Sequence, residues 1–424
     1  MPPGTRARTV LRHRNFALLW GGQTISLVGN GIFQVALPLT VLHLTGSPLA
    51  LALVLSGQTI ASVVLLLIGG TFTDRLSRRS LMLAADAVCG VSVSLVAVLV
   101  VFRIARLWEL FLLTLVFGAA GAFFRPAATA IVRDILPAEL LVPASSLRSM
   151  SQSLSQFLVG PLAGGLITAT AGAAWAFGID GASFAVSAAC LAAMRNIPRV
   201  RATSSRIFEG IMEGLRYCYS QRWLACSIVA VGIANLVSFY PLFILEPLLV
   251  RNVFHAGAVA LGILFAANGA GGLLASLVTA RRGTPARPVT TIWAAWAAAG
   301  ACASLVGVSP WLWGSVVFAG LAWGLVNFGN ILWFPLVQHE TPAELLGRVS
   351  SVDWLFSLAL SPFGAIAAGA AAAAVGVRLT LIAGGVIAAA TGSVLLVPGV
   401  RAPDARDEVI AQAAGRLQAG EAVL

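Results

Sequence analysis

Charge is scarce in this sequence. Only 10% of the 424 residues are charged and 58% are hydrophobic, whereas a soluble domain carries about 25% charged residues. That balance excludes a large water-soluble globule. Lysine is missing altogether, and all 27 basic residues are arginine, a compositional bias without functional content. The net charge of +11 would suggest a nucleic-acid partner in a soluble protein. Here the arginines fall between apolar runs, so no nucleic acid is expected. Cysteine is sparse as well: Cys89, Cys190, Cys218, Cys226 and Cys302 show no C-x-x-C or Cys/His ligand spacing. Such cysteines act as small hydrophobes rather than disulfides or metal ligands. There is no phosphate-binding P-loop, no H-E-x-x-H and no G-x-S-x-G on a strand-to-helix turn. No enzyme, catalytic residue, cofactor or metal is therefore expected, and ATP-driven transport would need another subunit. No cleavable signal peptide is expected either, because Arg6, Arg8, Arg12 and Arg14 lead into an apolar run too long for an h-region.

What the sequence has instead is long apolar runs. Twelve of them approach the roughly 20 residues that cross a bilayer as a helix. Their limits are 16–44, 49–70, 80–102, 108–131, 145–170 and 173–194, then 223–250, 257–280, 288–307, 310–338, 349–374 and 376–397. The chain reads as an all-α polytopic protein of the cell membrane, with the lipid bilayer as its surroundings. Arginine sets the orientation. The N-terminal tail, the loop between spans two and three, the stretch 195–222, Arg281, Arg282, Arg287, Arg348 and the C-terminal tail all fall on one side. Arg103, Arg106, Arg251 and Arg378 fall on the other. Both termini are expected in the cytoplasm.

The stretch 195–222 is the one long polar connection and divides the chain. An N-terminal six-helix half covers 1–194, the linker 195–222, a C-terminal six-helix half 223–397 and a cytoplasmic tail 398–424. Within the linker, Ile207, Ile211, Leu215 and Cys218 recur at helical spacing, with Glu209, Glu213, Arg216 and Arg222 between them. That pattern predicts an amphipathic helix on the cytoplasmic face, and a plain connecting role is the simpler reading of it.

One polar stretch organises the rest: Gly69-Gly70-Thr71-Phe72-Thr73-Asp74-Arg75-Leu76-Ser77-Arg78-Arg79. It resembles the loop 2–3 signature of the major facilitator superfamily, G-x-x-x-D-R-x-G-R-R. Gly70, Asp74, Arg75, Arg78 and Arg79 stand at matching positions, and Ser77 replaces a glycine, with less freedom for a left-handed turn. Gly160-Pro161-Leu162-Ala163-Gly164-Gly165 is similar to the G-P-x-x-G-G motif in the fifth span of the superfamily's exporters, and Ser361-Pro362-Phe363-Gly364 matches it in part. Phe124-Arg125-Pro126-Ala127, Glu213-Gly214-Leu215-Arg216-Tyr217 and Leu346-Gly347-Arg348-Val349 are similar to the antibiotic-efflux branch, which includes macrolide, tetracycline and enterobactin exporters. The resemblance covers about 12–397. The sequence also repeats: Pro137-Ala138-Glu139-Leu140-Leu141 recurs as Pro342-Ala343-Glu344-Leu345-Leu346, and Ser145-Ser146-Leu147 as Ser350-Ser351-Val352. Both copies lie between the fourth and fifth spans of their half. That agrees with the superfamily's twelve transmembrane helices in two pseudo-symmetric halves.

The resemblance implies roles for particular residues. Gly70, Asp74, Arg75, Arg78, Arg79, Asp134 and Arg348 would form a conformational switch, with Asp74 meeting the start of the eleventh span near Arg348 and Arg78 reaching Asp134. Gly160, Pro161, Gly164 and Gly165 would form a pliable kink. Ionisable groups inside spans are the candidates for coupling: Asp86, Arg125, Asp180 and Glu246. Polar and aromatic side chains within spans are candidates for a substrate cavity: Asn30, Gln34, Gln58, Asn235, Tyr240, Asn327, Asn330 and Trp354, with Asn268, Phe239, Trp323 and Trp333 as further polar or aromatic positions. Asn30 stands where related exporters often have an acidic residue, so it cannot titrate. The resulting expectation is a monomeric secondary exporter of small amphipathic molecules (drug, antibiotic or siderophore-like). It would work by alternating access, with protons as the coupling partner by resemblance only. A lipid or lysophospholipid flippase of the same fold is one alternative, and a non-transporting receptor or assembly partner is another.

Overall fold

The computed structural model describes residues 9–68, 77–195, 207–283, 285–342 and 344–404. Among these there is no strand. The first half contributes α1 (Arg14–Thr45), α2 (Pro48–Ile68), α3 (Arg78–Val101), α4 (Leu107–Ile135), α5 (141–170) and α6 (Ala173–Ala193). The linker helix α7 is Ile207–Ser220. The second half contributes α8 (Arg222–Val253), α9 (Ala258–Arg282), α10 (Pro288–Val308), α11 (Leu312–Glu340), α12 (Leu346–Val375) and α13 (Val377–Leu396). In hydrocarbon every backbone polar group must be satisfied within the segment, so apolar runs of this length become helices. Among the described residues, eleven helices are long and apolar enough to cross a membrane. The fifth, α5, is as long, but its first part reads Leu-Val-Pro-Ala-Ser-Ser-Leu-Arg-Ser-Met-Ser-Gln-Ser-Leu and carries polar residues throughout.

Both copies of the internal repeat fold alike. The Leu140 N–H bonds to the Pro137 carbonyl, and the Leu345 N–H to the Pro342 carbonyl, each at 3.0 Å. A helix starts directly after each turn, at Leu141 and at Leu346.

Proline interrupts three spans. In α5 a π-helical turn, Ser155–Val159, precedes Gly160-Pro161, and in α8 a π-helical turn, Asn235–Phe239, precedes Tyr240-Pro241. In α12 the helix breaks at Leu360, just before Ser361-Pro362. Proline gives no N–H to the ladder, and its ring crowds the carbonyl four residues back. A wider turn relieves that crowding.

The chain forms two compact units. The first holds Met1–Ser205 together with Phe243–Gly269 and Ser361–Val377. In it α1 and α3 pack on α6, α2 and α3 on α4, α1 on α5, and the Ser361–Val375 part of α12 on α2. A layer of rings lies in its core: Phe33 stacks on Phe117 at 5.4 Å, and Phe177 and Phe184 meet that pair edge-on. The second unit holds Arg206–Leu242, Ala270–Leu360 and Arg378–Leu424. Its core is a tryptophan cluster of Trp223, Trp293, Trp296 and Trp333, with Val349, Val352 and Val400. The chain passes between the units close to the interruptions of α8 and α12, and in α9 within Gly269-Ala270-Gly271-Gly272.

Candidate functional site

Gly70, Asp74 and Arg75 lie outside the described residues. The remainder of the loop signature is a brace within the first unit. Ser77 is the N-cap of α3 at φ −65° and ψ 137°, and its hydroxyl accepts the Ser80 N–H at 3.1 Å. No left-handed conformation is needed there, so the serine replaces glycine without strain and adds a cap. The Arg78 guanidinium donates to both oxygens of Asp134, at 2.7 and 2.6 Å, and to the Ala130 carbonyl at 3.2 Å. Arg79 donates to the Leu191 carbonyl at 2.8 Å and to the Ala192 carbonyl. It thereby satisfies the C-terminal carbonyls of α6, where a cation is favoured. The start of α3 is thus tied to the ends of α4 and α6.

Asp134 is only 7% exposed. Arg78→Ala is therefore expected to leave its carboxylate short of a partner and to cost about 1–3 kcal/mol. Thermal unfolding of the purified protein checks this, with the exchanged pair Arg78→Asp/Asp134→Arg recovering part of the loss. A melt unchanged by Arg78→Ala would mean that water replaces the pair.

The second half uses other devices. Arg281 and Arg282 are exposed at the end of α9. Asp404 caps the start of α10, its carboxylate accepting the N–H groups of Val289 and Thr290 at 2.8 and 3.0 Å and the Thr290 hydroxyl at 2.6 Å. Residues assigned to the tail from sequence are therefore part of the second unit: Val400 is wholly buried and Asp404 is 5% exposed. Arg348 pairs with Glu213 of α7. A Cβ on Gly214 would come within 2.7 Å of the Arg348 carbonyl oxygen, so α7 lies directly on the start of α12. Tyr217 adds a bond from its hydroxyl to the Glu340 carbonyl at 3.1 Å.

The kink residues face two ways. A Cβ on Gly160 would lie 2.7 Å from Gly31 Cα, and one on Gly164 would lie 2.8 Å from Ile32 Cα, so both press on α1. Gly165 faces α9 instead: its Cβ would lie 2.7 Å from the Ala258 carbonyl oxygen and 3.2 Å from Gly262 Cα. A Cβ on Gly262 would in turn lie 2.5 Å from the Pro161 carbonyl oxygen. At the arginine-poor ends of the helices, first-half α5 and second-half α9 thus meet backbone to backbone. Gly369 of α12 approaches Ala52 and Pro48 of α2 in the same manner. Small residues permit such contact where no hydrophobic force separates helix from lipid.

The coupling candidates separate into three places. Asp86 of α3 and Asp180 of α6 are both within electrostatic reach of Cys89. Asp86 is 3% exposed and Asp180 fully buried. Glu246, also fully buried, accepts from Asn268 Nδ2 at 3.1 and 3.2 Å. Arg125 is apart and exposed, ten residues or about 15 Å before the end of α4.

Of the cavity candidates, Asn30, Gln34 and Gln58 belong to the first unit and the others to the second. The Asn30 Oδ1 is buried without a hydrogen bond. Asn235 reaches the Ser357 carbonyl at 3.4 Å, and Asn327 bonds back to the Trp323 carbonyl of its own helix at 2.9 Å. Tyr240 is half-buried and Asn330 exposed. Trp354 is 53% exposed and stacks on Phe334. Trp333, a possible cavity wall by sequence, is instead core: it is 5% exposed and packs against Trp223 and Trp296. Its Nε1 donates to Asp353 Oδ2 at 3.1 Å. Asp353, 8% exposed, is the lone acid inside the apolar run 349–374 and joins the buried acids above.

The family model described as transmembrane secretion effector matches residues 5–418. The chain belongs to this family. Its curated relatives include the enterobactin exporter EntS of Escherichia coli O1:K1, 25% identical over 391 residues, covering 92% of this chain and 91% of the relative. EntS of Shigella flexneri is likewise 25% identical, covering 92% and 90%. EntS of Citrobacter koseri is 24% identical, covering 80% and 81%. Among solved structures, the chain is similar to a bacterial homologue of the human lysosomal transporter Spinster in an inward-facing, unoccupied conformation, with a TM-score of 0.68 at 14% identity, covering 93% of this chain and 98% of that one. The nucleoside transporter NupG gives a TM-score of 0.64 at 13% identity, covering 94% and 100%. These two likenesses establish the major facilitator fold. This member of the secretion effector family is a multi-pass membrane transporter and not an enzyme.

Proposed function

We propose that this transporter exports a small amphipathic molecule of the siderophore or antibiotic type by alternating access, driven by protons. The half 1–194 rocks against 223–397, and Asn30, Gln34, Gln58, Asn235, Tyr240, Asn327, Asn330 and Trp354 are the proposed substrate contacts. The observation that carries the reading is the backbone-to-backbone seam of Gly165 with Gly262, built from the exporter-type motif of the fifth span. A glycine seam without interdigitated side chains can close and part with little repacking. The interruptions at Pro161, Pro241 and Pro362 put pliable points in α5, α8 and α12. The names of the EntS relatives favour a siderophore over other amphiphiles.

The direct experiment uses everted vesicles, in which export appears as uptake. With an inside-acid gradient, a radiolabelled catecholate siderophore is expected to accumulate at least tenfold over vesicles lacking the protein, and a protonophore is expected to collapse that accumulation. Accumulation indifferent to the protonophore would remove proton coupling. No saturable uptake of any amphiphile tested would remove transport.

Orientation follows from the arginine distribution. In a background without native cysteines, Ser47→Cys and Ser220→Cys are expected to react with an impermeant maleimide from opposite sides, Ser47→Cys from outside. Reaction of both from one side would overturn the assignment.

A further inference from the structure

Between α3 and α6 runs an open furrow of about 530 Å³. That is within the usual range of small-molecule sites, roughly 300–1,000 Å³. Its cause lies in residue size. Ala87, Gly90, Gly181, Ala185 and Ala188 leave space where the two helices approach, and a Cβ on Gly181 would lie 2.5 Å from Ser94 Oγ. Val91, Leu95 and Val98 rise as one rim and are 60%, 46% and 47% exposed, a surface that faces lipid in a membrane. From Asp86 to Val98 the furrow follows α3 for twelve residues, about 18 Å.

The end nearest the arginine-rich side is different. Asp86 lines it, 3% exposed, with Ser187 in hydrogen-bonding reach of its carboxylate and with Oδ2 lacking a hydrogen-bond partner. Among the described residues, no basic side chain lines the furrow. An apolar trench open to lipid, long enough for a single alkyl chain and bounded at one end by a buried aspartate with an unpartnered oxygen, has a definite chemical complement. We propose that the furrow binds a single-chain amphiphile with an ammonium head, entering from the bilayer, its chain along Val91, Leu95 and Val98 and its head on Asp86. The proposal does not depend on the export reading.

The test uses the purified full chain in lipid nanodiscs and a dodecylamine carrying a diazirine near the chain end. Irradiation is expected to label peptides containing Val91–Val98 or Phe184–Ala188. Unlabelled dodecylamine should compete, and dodecanol or laurate should compete at least tenfold less well, because a hydrogen bond to a charged partner is worth more than a decade in affinity. Asp86→Asn should remove that preference for the amine. Ala185→Phe, on the exposed rim and clear of Asp86, should block labelling by amine and alcohol alike, and it keeps the test open if Asp86→Asn fails to fold. Equal competition by amine and alcohol in the native protein, or labelling unaffected by Ala185→Phe, would overturn the proposal. The furrow would then be an ordinary lipid-filled surface.

Discussion

Gly165→Leu is expected to abolish transport while leaving the protein folded in the membrane. Even a methyl group at this position would sit 2.7 Å from the Ala258 carbonyl oxygen. That atom is backbone and cannot swing aside. Overpacking of this kind costs about 1–3 kcal/mol for small additions. At 1.4 kcal/mol per decade, that shifts the balance between closed and parted seam by about fivefold to roughly a hundredfold. Leucine goes beyond a methyl, so the closed arrangement of α5 on α9 should be essentially lost. Gly165→Ala should fall between, with turnover reduced by about a decade. Gly164 supplies the control. A Cβ there would strike Ile32 of α1, within the first half, so Gly164→Ala should lower thermal stability without favouring the parted state. Spin labels near Thr170 and Ala258, at the arginine-poor ends of α5 and α9, read the difference. Gly165→Leu should lengthen that distance, and Gly164→Ala should not. An unchanged distance in an inactive Gly165→Leu would mean that the seam does not part during turnover.

This contrast between neighbouring glycines marks where sequence reading stops. The string Gly160-Pro161-Leu162-Ala163-Gly164-Gly165 announces a kink and close packing, yet only the fold assigns Gly164 to α1 and Gly165 to α9. Span limits were far more legible, because bilayer thickness sets their length independently of neighbours. The apolar run 288–307 became Pro288–Val308, and 173–194 became Ala173–Ala193. The linker helix was legible too, since Ile207, Ile211, Leu215 and Cys218 mark one face of Ile207–Ser220. Inside a span that is apolar all round, the pattern does not say which face meets protein. Trp333 therefore looked like a cavity wall and is core. Asp353 drew no notice because its partner Trp333 sits twenty residues earlier on another helix. Asp404 looked like tail because nothing local links it to Val289. Ser77 looked like a loss of backbone freedom until its cap to Ser80 was seen.

Asp180→Asn separates a packing role from a coupling role at the buried acids, and the effect on driven transport is expected to exceed a hundredfold. Asp180 is fully buried, Oδ1 lies 3.3 Å from the Ser183 hydroxyl, and Oδ2 has no hydrogen-bond partner. Gly29 of α1 presses on it so closely that any side chain there would collide with Oδ1 and with Ser183 Oγ. Asp86 acts electrostatically on the same Cys89 as Asp180 does. An ionised carboxylate in such a place costs several kcal/mol after relaxation, and ionisable groups in spans are therefore rare unless they do something. Asparagine has nearly the same shape and carries no charge. If Asp180 only fills space between α1, α3 and α6, Asp180→Asn should melt at the same temperature or higher and should transport normally. If Asp180 carries a proton during the cycle, the melt should still hold. Gradient-driven accumulation should then collapse, while substrate exchange between two loaded compartments, which needs no net proton movement, should survive. The second outcome is expected, because an ionisable group kept fully buried in a span is costly where a neutral side chain would pack as well. Full gradient-driven transport by Asp180→Asn would assign coupling elsewhere, and Glu246, buried against Asn268, would then be the next acid to test by the same pair of assays.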